Sequence, residues 1–117
     1  YDGHLDLLEK EIGQLYKSNK GIDGVFAVNE LYAVTAMNVA RKMGKSIPDD
    51  IQIIGFTDGV LSRHASPSLT TINQKAEDMG KTAARLLIER LENETDEEAY
   101  KTVVLQTQII ERDSTIN

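Results

Sequence analysis

The residues of this chain best suited to chemistry are polar side chains standing where two apolar runs stop. Thr57 and Asp58 follow Ile51-Gln52-Ile53-Ile54-Gly55-Phe56, and Asn29 follows Ile22-Asp23-Gly24-Val25-Phe26-Ala27-Val28. Neither run strictly alternates with polar residues, the pattern of parallel strands buried on both faces. Ligands of parallel α/β sheets sit beyond the carboxyl ends of the strands, so these three residues are the first candidates for a binding site. Thr57 can donate and accept a hydrogen bond to a ligand hydroxyl. Asp58 can accept two bonds and supply charge, or it can brace the loop that follows. Asn29 reads equally as a ligand contact and as the N-cap of the next helix.

Other chemistries lack their machinery. His4 and His64 lie far apart in the sequence with no further ligand at metal-binding spacing, so no metal is expected. Ser62, Ser66 and Ser68 cluster near His64, yet none sits in the glycine-framed elbow of a serine nucleophile. Gly24, Gly55 and Gly59 do not open a helix as a phosphate cradle would. The chain therefore reads as a non-enzyme without a cofactor. Its formal charge of -6 disfavours direct contact with a nucleic-acid backbone. No apolar run reaches the roughly 20 residues of a membrane span. The absence of cysteine fits a reducing compartment, and a cytoplasmic location is expected.

The elements that must position these residues follow from periodicity. Leu5, Leu8, Ile12 and Leu15 recur at helical spacing and predict a helix of about three turns ending near Ser18-Asn19-Lys20-Gly21. A strand over Ile22–Val28 leads to a helix over Leu31–Met43. Its broad apolar face includes Val34 and Met37, and Ala33 and Ala36 permit close approach to a sheet or to a partner helix. Gly44 and Pro48 punctuate the return to the second strand, giving the strand-helix-strand unit of a parallel crossover. Residues 59–68 read as a loop or short helical turn, and Leu69–Asn73 as a short strand. The longest helix is expected over residues 75–92, followed by a solvated acidic turn at 92–98 and one or two strands within 102–112.

Ordered motifs place these elements together. Val25-Phe26-Ala27-Val28-Asn29-Glu30 is followed by Met43-Gly44, Ile47-Pro48-Asp49-Asp50-Ile51 and Ile54-Gly55-Phe56-Thr57-Asp58. Then come Pro67-Ser68-Leu69-Thr70-Thr71-Ile72-Asn73-Gln74, Met79-Gly80 and Ile110-Glu111-Arg112-Asp113-Ser114-Thr115. In this order they resemble the LacI/GalR bacterial transcription regulators, specifically the carboxyl-terminal part of the effector-binding core. The resemblance implies an α/β, partial doubly wound parallel sheet of the periplasmic-binding-protein-like type I. Residues 1–117 would then be a fragment of the carboxyl-terminal lobe, and helix 75–92 would pack on a first lobe absent from this sequence. It implies a small-molecule effector, a sugar or related metabolite, contacted by Asn29, Thr57, Asp58 and Gln74. A homodimer would form through Val34, Met37, Val60 and Leu61, and operator DNA would be bound only through an amino-terminal helix-turn-helix domain outside this sequence. Thr57 departs from the family, many members of which carry a ligand-gripping aspartate there. A transport-type periplasmic solute-binding protein of the same fold is the alternative reading. The exposed apolar face of helix 75–92 is expected to dock on a second copy or to fold back onto the sheet.

Overall fold

The computed structural model describes residues 2–93 and 100–116, in the order helix α1 (Asp2–Ser18), strand β1 (Gly24–Ala27), α2 (Glu30–Lys42), β2 (Gln52–Phe56), α3 (Val60–His64), β3 (Thr70–Asn73), α4 (Ala76–Glu92) and β4 (Gln108–Ile110). The four strands form one sheet ordered β1-β2-β3-β4, the first three parallel and β4 antiparallel to β3. The carboxyl ends of β1, β2 and β3 therefore lie along one edge of the molecule.

Helix α2 packs on one face of the sheet, and α1 packs against α2. The core they enclose contains Tyr16, Ala33, Met37, Val39 and Ala40 from the helices, with Ala27, Ile51, Ile53 and Leu69 from the sheet side. The helical spacing in α1 runs through Leu5, Leu8 and Ile12 to Tyr16 rather than Leu15, which is half exposed. At 17 residues the helix is longer than the pattern predicts. Tyr16 fits because its ring fills the α1–α2 interface while its hydroxyl points at the Ala36 carbonyl. Burial raises the pKa of that hydroxyl.

The second face of the sheet corrects the expectation of doubly buried strands. Phe26 is 58% exposed and Val28 64%. In β2, Ile53 and Gly55 are buried whereas Ile54 and Phe56 are only half-buried. A continuous apolar run marks two faces that can be covered; among the described residues, only one face is covered by helices.

Two further expectations change. Residues 102–107 form no strand, so β4 is confined to Gln108–Ile110. Helix α4 has no buried residue and does not fold back over the open face, and the molecule is extended, 61 × 33 × 24 Å. Met79, Ala83 and Leu86 instead border a groove of about 370 Å³ whose other walls include Phe56, Val103 and Leu105. The acidic run expected at 92–98 falls largely outside the described residues.

The chain end closes the core. Ser114 lies fully buried between the start of β3 and the first half of β2. Its backbone N–H donates to Ser68 and its carbonyl accepts from Ile53 N–H. Its hydroxyl accepts from Thr70 N–H and donates to the Ile53 carbonyl. One small polar residue thus satisfies backbone groups that β2 and β3 leave unpaired before their register begins at Ile54 and Thr70.

Candidate binding site

Asn29 lies two residues past β1 and caps the start of α2. Its backbone is extended, and its side-chain oxygen accepts from Tyr32 N–H at 2.8 Å, the N-cap geometry anticipated for an asparagine at a strand-to-helix switch. Asn29 stands two residues past the end of β1 and Thr57 one residue past the end of β2, strands whose register closes at Ala27 and Gly55. Gln74, just past β3, donates from Nε2 to the Thr57 hydroxyl at 3.3 Å. The structure thus gathers Asn29, Thr57 and Gln74 at the carboxyl ends of three neighbouring strands, each half-buried.

Thr57 has φ +80°, an uncommon conformation for a β-branched residue. Its surroundings impose it. Thr57 N–H donates to the Ile72 carbonyl at 2.9 Å, and the next residue is fixed from three sides. Asp58 Oδ1 accepts from Arg112 Nη2 at 2.6 Å and Thr71 Oγ1 at 2.9 Å, while Oδ2 accepts from Arg63 Nη2 at 3.3 Å. Asp58 therefore braces the strand ends, and its carboxylate oxygens are engaged with the protein rather than directed at a ligand. Burial pushes the Asp58 carboxyl up, but the Arg112 and Thr71 hydrogen bonds, the Arg112 charge and the Arg63 contact outweigh it and hold the pKa below the ordinary value. Backbone strain that the surroundings over-determine clusters at functional sites, which singles out Thr57.

Glu30 is a residue that sequence patterning does not reveal. Its Oε2 accepts from Gly59 N–H, Ser62 N–H and the Ser62 hydroxyl, tying the start of α2 to α3. A Cβ at Gly59 would come within 2.3 Å of that carboxylate, so a side chain there would push the Glu30 carboxylate out of its hydrogen bonds. Arg112 is the other, known in the sequence only as part of a terminal motif. Its guanidinium also reaches the Leu69 carbonyl and Thr71, and its backbone N–H reaches Thr70.

The residues considered for a partner surface separate. Val60 is 72% exposed and Leu61 43%, both on α3. Val34 is half-buried against the core, and Met37 is 1% exposed within it. Met37 is thus a packing residue, because a side chain sealed between helix and sheet cannot also meet a second molecule. His4 and His64 are not brought together with further ligands, and no group of three or more metal-ligating residues occurs among the described residues. No helix among them is long and apolar enough to cross a membrane.

Strand ends that converge polar side chains on one edge of a mostly parallel sheet define a lobe of the periplasmic-binding-protein-like type. A family pattern described as a periplasmic binding protein-like domain matches residues 6–115. The ribose operon repressor of Halalkalibacterium halodurans is 38% identical over 115 residues, covering 97% of this chain and 34% of that protein. Among solved structures, the transcriptional regulator CelR in complex with cellobiose superposes with a TM-score of 0.84 at 34% identity, over 94% of this chain and 33% of CelR. A periplasmic binding protein/LacI transcriptional regulator from Alkaliphilus metalliredigens, complexed with D-xylulofuranose, gives a TM-score of 0.73 at 38% identity over 81% of this chain and 35% of that one. The chain belongs to the LacI-type transcriptional regulators, as part of their periplasmic-binding-protein-like effector domain. It spans about a third of the length of these relatives, which are regulators rather than enzymes.

Proposed function

We propose that this chain is the carboxyl-terminal lobe portion of the effector-binding domain of a cytoplasmic LacI-type repressor. Asn29, Thr57 and Gln74 form its half of the effector site, and Asp58 holds that half in shape. The observation that carries this reading is the gathering of the three polar side chains at the carboxyl ends of β1, β2 and β3. The relatives complexed with cellobiose and with D-xylulofuranose support a sugar or related metabolite as the effector. In the full-length protein, α4 and the 103–107 segment would meet the first lobe. Their groove and the uncovered apolar residues of α4 are suited to packing against another layer. Effector binding would close the lobes and shift the population between operator-binding and non-binding states through unequal affinity for them. Val34, Val60 and Leu61 would contribute to a homodimer, and operator DNA would be contacted by a helix-turn-helix domain elsewhere in the protein.

The test is a thermal-shift screen of sugars and sugar derivatives on the full-length protein, repeated with Asn29→Ala and Thr57→Ala. The proposal expects a stabilising compound whose effect is lost in both variants. A stabilising compound whose effect survives both substitutions would place the effector elsewhere.

A further inference from the structure

Resting on the reading of Asn29 and Thr57 as effector contacts, we infer that Glu30 is a positioning residue of the effector site: its carboxylate, bonded to Gly59 and Ser62, sets where Asn29 and Thr57 stand relative to each other. The two contacts belong to different frames. Asn29 moves with α2, because its side-chain oxygen caps that helix at Tyr32 N–H. Thr57 moves with β3 and the chain end. Its N–H donates to the Ile72 carbonyl, its hydroxyl accepts from Gln74, and Asp58 beside it is held by Thr71 and Arg112. None of those bonds reaches α2.

The β1–β2 pairing does not supply the connection, since its register closes at Ala27 and Gly55, short of both residues. Beyond it, the hydrogen bonds that join the start of α2 to residues 57–62 are, among the described residues, those of Glu30. Glu30 Oε2 accepts from Gly59 N–H at 3.0 Å, from Ser62 N–H at 3.2 Å and from the Ser62 hydroxyl at 2.8 Å. Glu30 adjoins Asn29 in the chain, and Gly59 comes two residues after Thr57, so the bridge is anchored close to each contact. Helix α3 deepens the dependence. It has five residues and an N-cap, Gly59, that makes no side-chain bond, and a helix so short is not stable alone. The Glu30 carboxylate caps it from a neighbouring helix, and α3 in turn carries Arg63, which grips Asp58. A closed circuit therefore runs from Asn29 through Glu30, α3 and Asp58 to Thr57. Thr57, at φ +80°, is its strained member and relaxes when the circuit opens. A ligand that touches two side chains needs them held to within roughly 0.5 Å. Glu30 acts on that spacing through its neighbours.

Two measurements on the full-length protein test this. The first needs no ligand: amide hydrogen exchange of Thr57, whose N–H bonds to Ile72 and not to Glu30. Glu30→Ala should speed that exchange about threefold or more, and Gly59→Ala should do the same by displacing the carboxylate with Glu30 intact. Glu30→Gln, whose amide oxygen still accepts, should restore the slow rate. A smaller change at Thr57, with the effect confined to Gly59 and Ser62, means that Glu30 holds α3 alone and overturns the inference. The second measurement is isothermal titration with D-ribose, D-xylulose and cellobiose. Glu30→Ala and Gly59→Ala should each weaken the tightest-binding of the three about threefold or more, the double variant little more than the worse single, and Glu30→Gln should recover the affinity. Binding that is lost in Asn29→Ala and Thr57→Ala but kept in Glu30→Ala and Gly59→Ala overturns the positioning role and leaves the effector site standing. Binding that survives Asn29→Ala and Thr57→Ala, or a wild type that binds none of the three, counts against the effector site, and the inference falls with it.

Discussion

Removing the Asp58 carboxylate tests whether this side chain is the brace of the strand ends. The Asp58 side chain is 5% exposed and that of Arg112 15%, and three donors converge on the carboxylate. Breaking a buried ion pair by deleting one partner costs ~3–5 kcal/mol because the other charge stays behind unpaired. Here Arg112 keeps the Leu69 carbonyl and Thr71 Oγ1, and it is not fully buried, so Asp58→Ala should cost about 2–4 kcal/mol. Asp58→Asn retains an acceptor oxygen for Thr71 or Arg112 and should cost less, about 1–2 kcal/mol. The folded-state pKa of Asp58 is lowered relative to its ordinary value. Below its unfolded pKa the unfolded chain takes up a proton that the folded chain resists, so the stabilisation is complete above that pKa and is lost as pH falls through the folded value. Urea unfolding followed by circular dichroism, for wild type and Asp58→Asn from neutral pH to about pH 2, reads both effects. The gap between the two proteins should be constant above about pH 5 and should narrow as the wild-type carboxylate protonates. A loss below about 0.5 kcal/mol for Asp58→Ala, or a gap that persists undiminished in acid, would refute the brace.

Three other outcomes are expected. Ser114→Ala strips the partners from Thr70 N–H and the Ile53 carbonyl in a fully buried position and should cost about 2–4 kcal/mol, read by the same urea titration. Gly59→Ala and Glu30→Ala both detach α3 from α2, one by displacing the carboxylate and the other by deleting it; each should cost about 1–3 kcal/mol, and the double variant little more than the worse single in thermal denaturation. Thr57→Asn should stabilise the fold by roughly 1 kcal/mol, since asparagine tolerates positive φ better than a β-branched residue, and effector titration should show that it weakens binding.

Much of the architecture was legible because its signals are local. The helical periods of α2 and α4, the short apolar runs of β1 and β2, and Asn29 at the switch into α2 each depend on neighbours within a few residues. Where a signal needed a distant partner, reading by position went astray. Leu15 and Tyr16 compete for the same face of α1, and only the depth of the α1–α2 interface selects Tyr16. Met37 looks as suitable for a partner as for a core until α1 and the sheet are seen to enclose it. The 102–107 segment has strand-forming residues, but strand structure also requires a neighbour to pair with, and pairing begins only at Gln108.

The opening candidates, Thr57 and Asp58, show the same division. The sequence by itself determined that two polar residues follow a strand at its carboxyl, ligand-facing end, because a short apolar run closed by polar residues marks a strand and where it stops. Tertiary structure decided which of the two is free. Arg112, 54 residues further along the chain, together with Thr71 and Arg63, captures the Asp58 carboxylate, while Gln74 leaves the Thr57 hydroxyl with its proton to give. Hydrogen-bond partners that far apart in sequence are set by the packing of whole elements, so the direction in which each side chain can act is fixed only once the sheet and the chain end have closed around it.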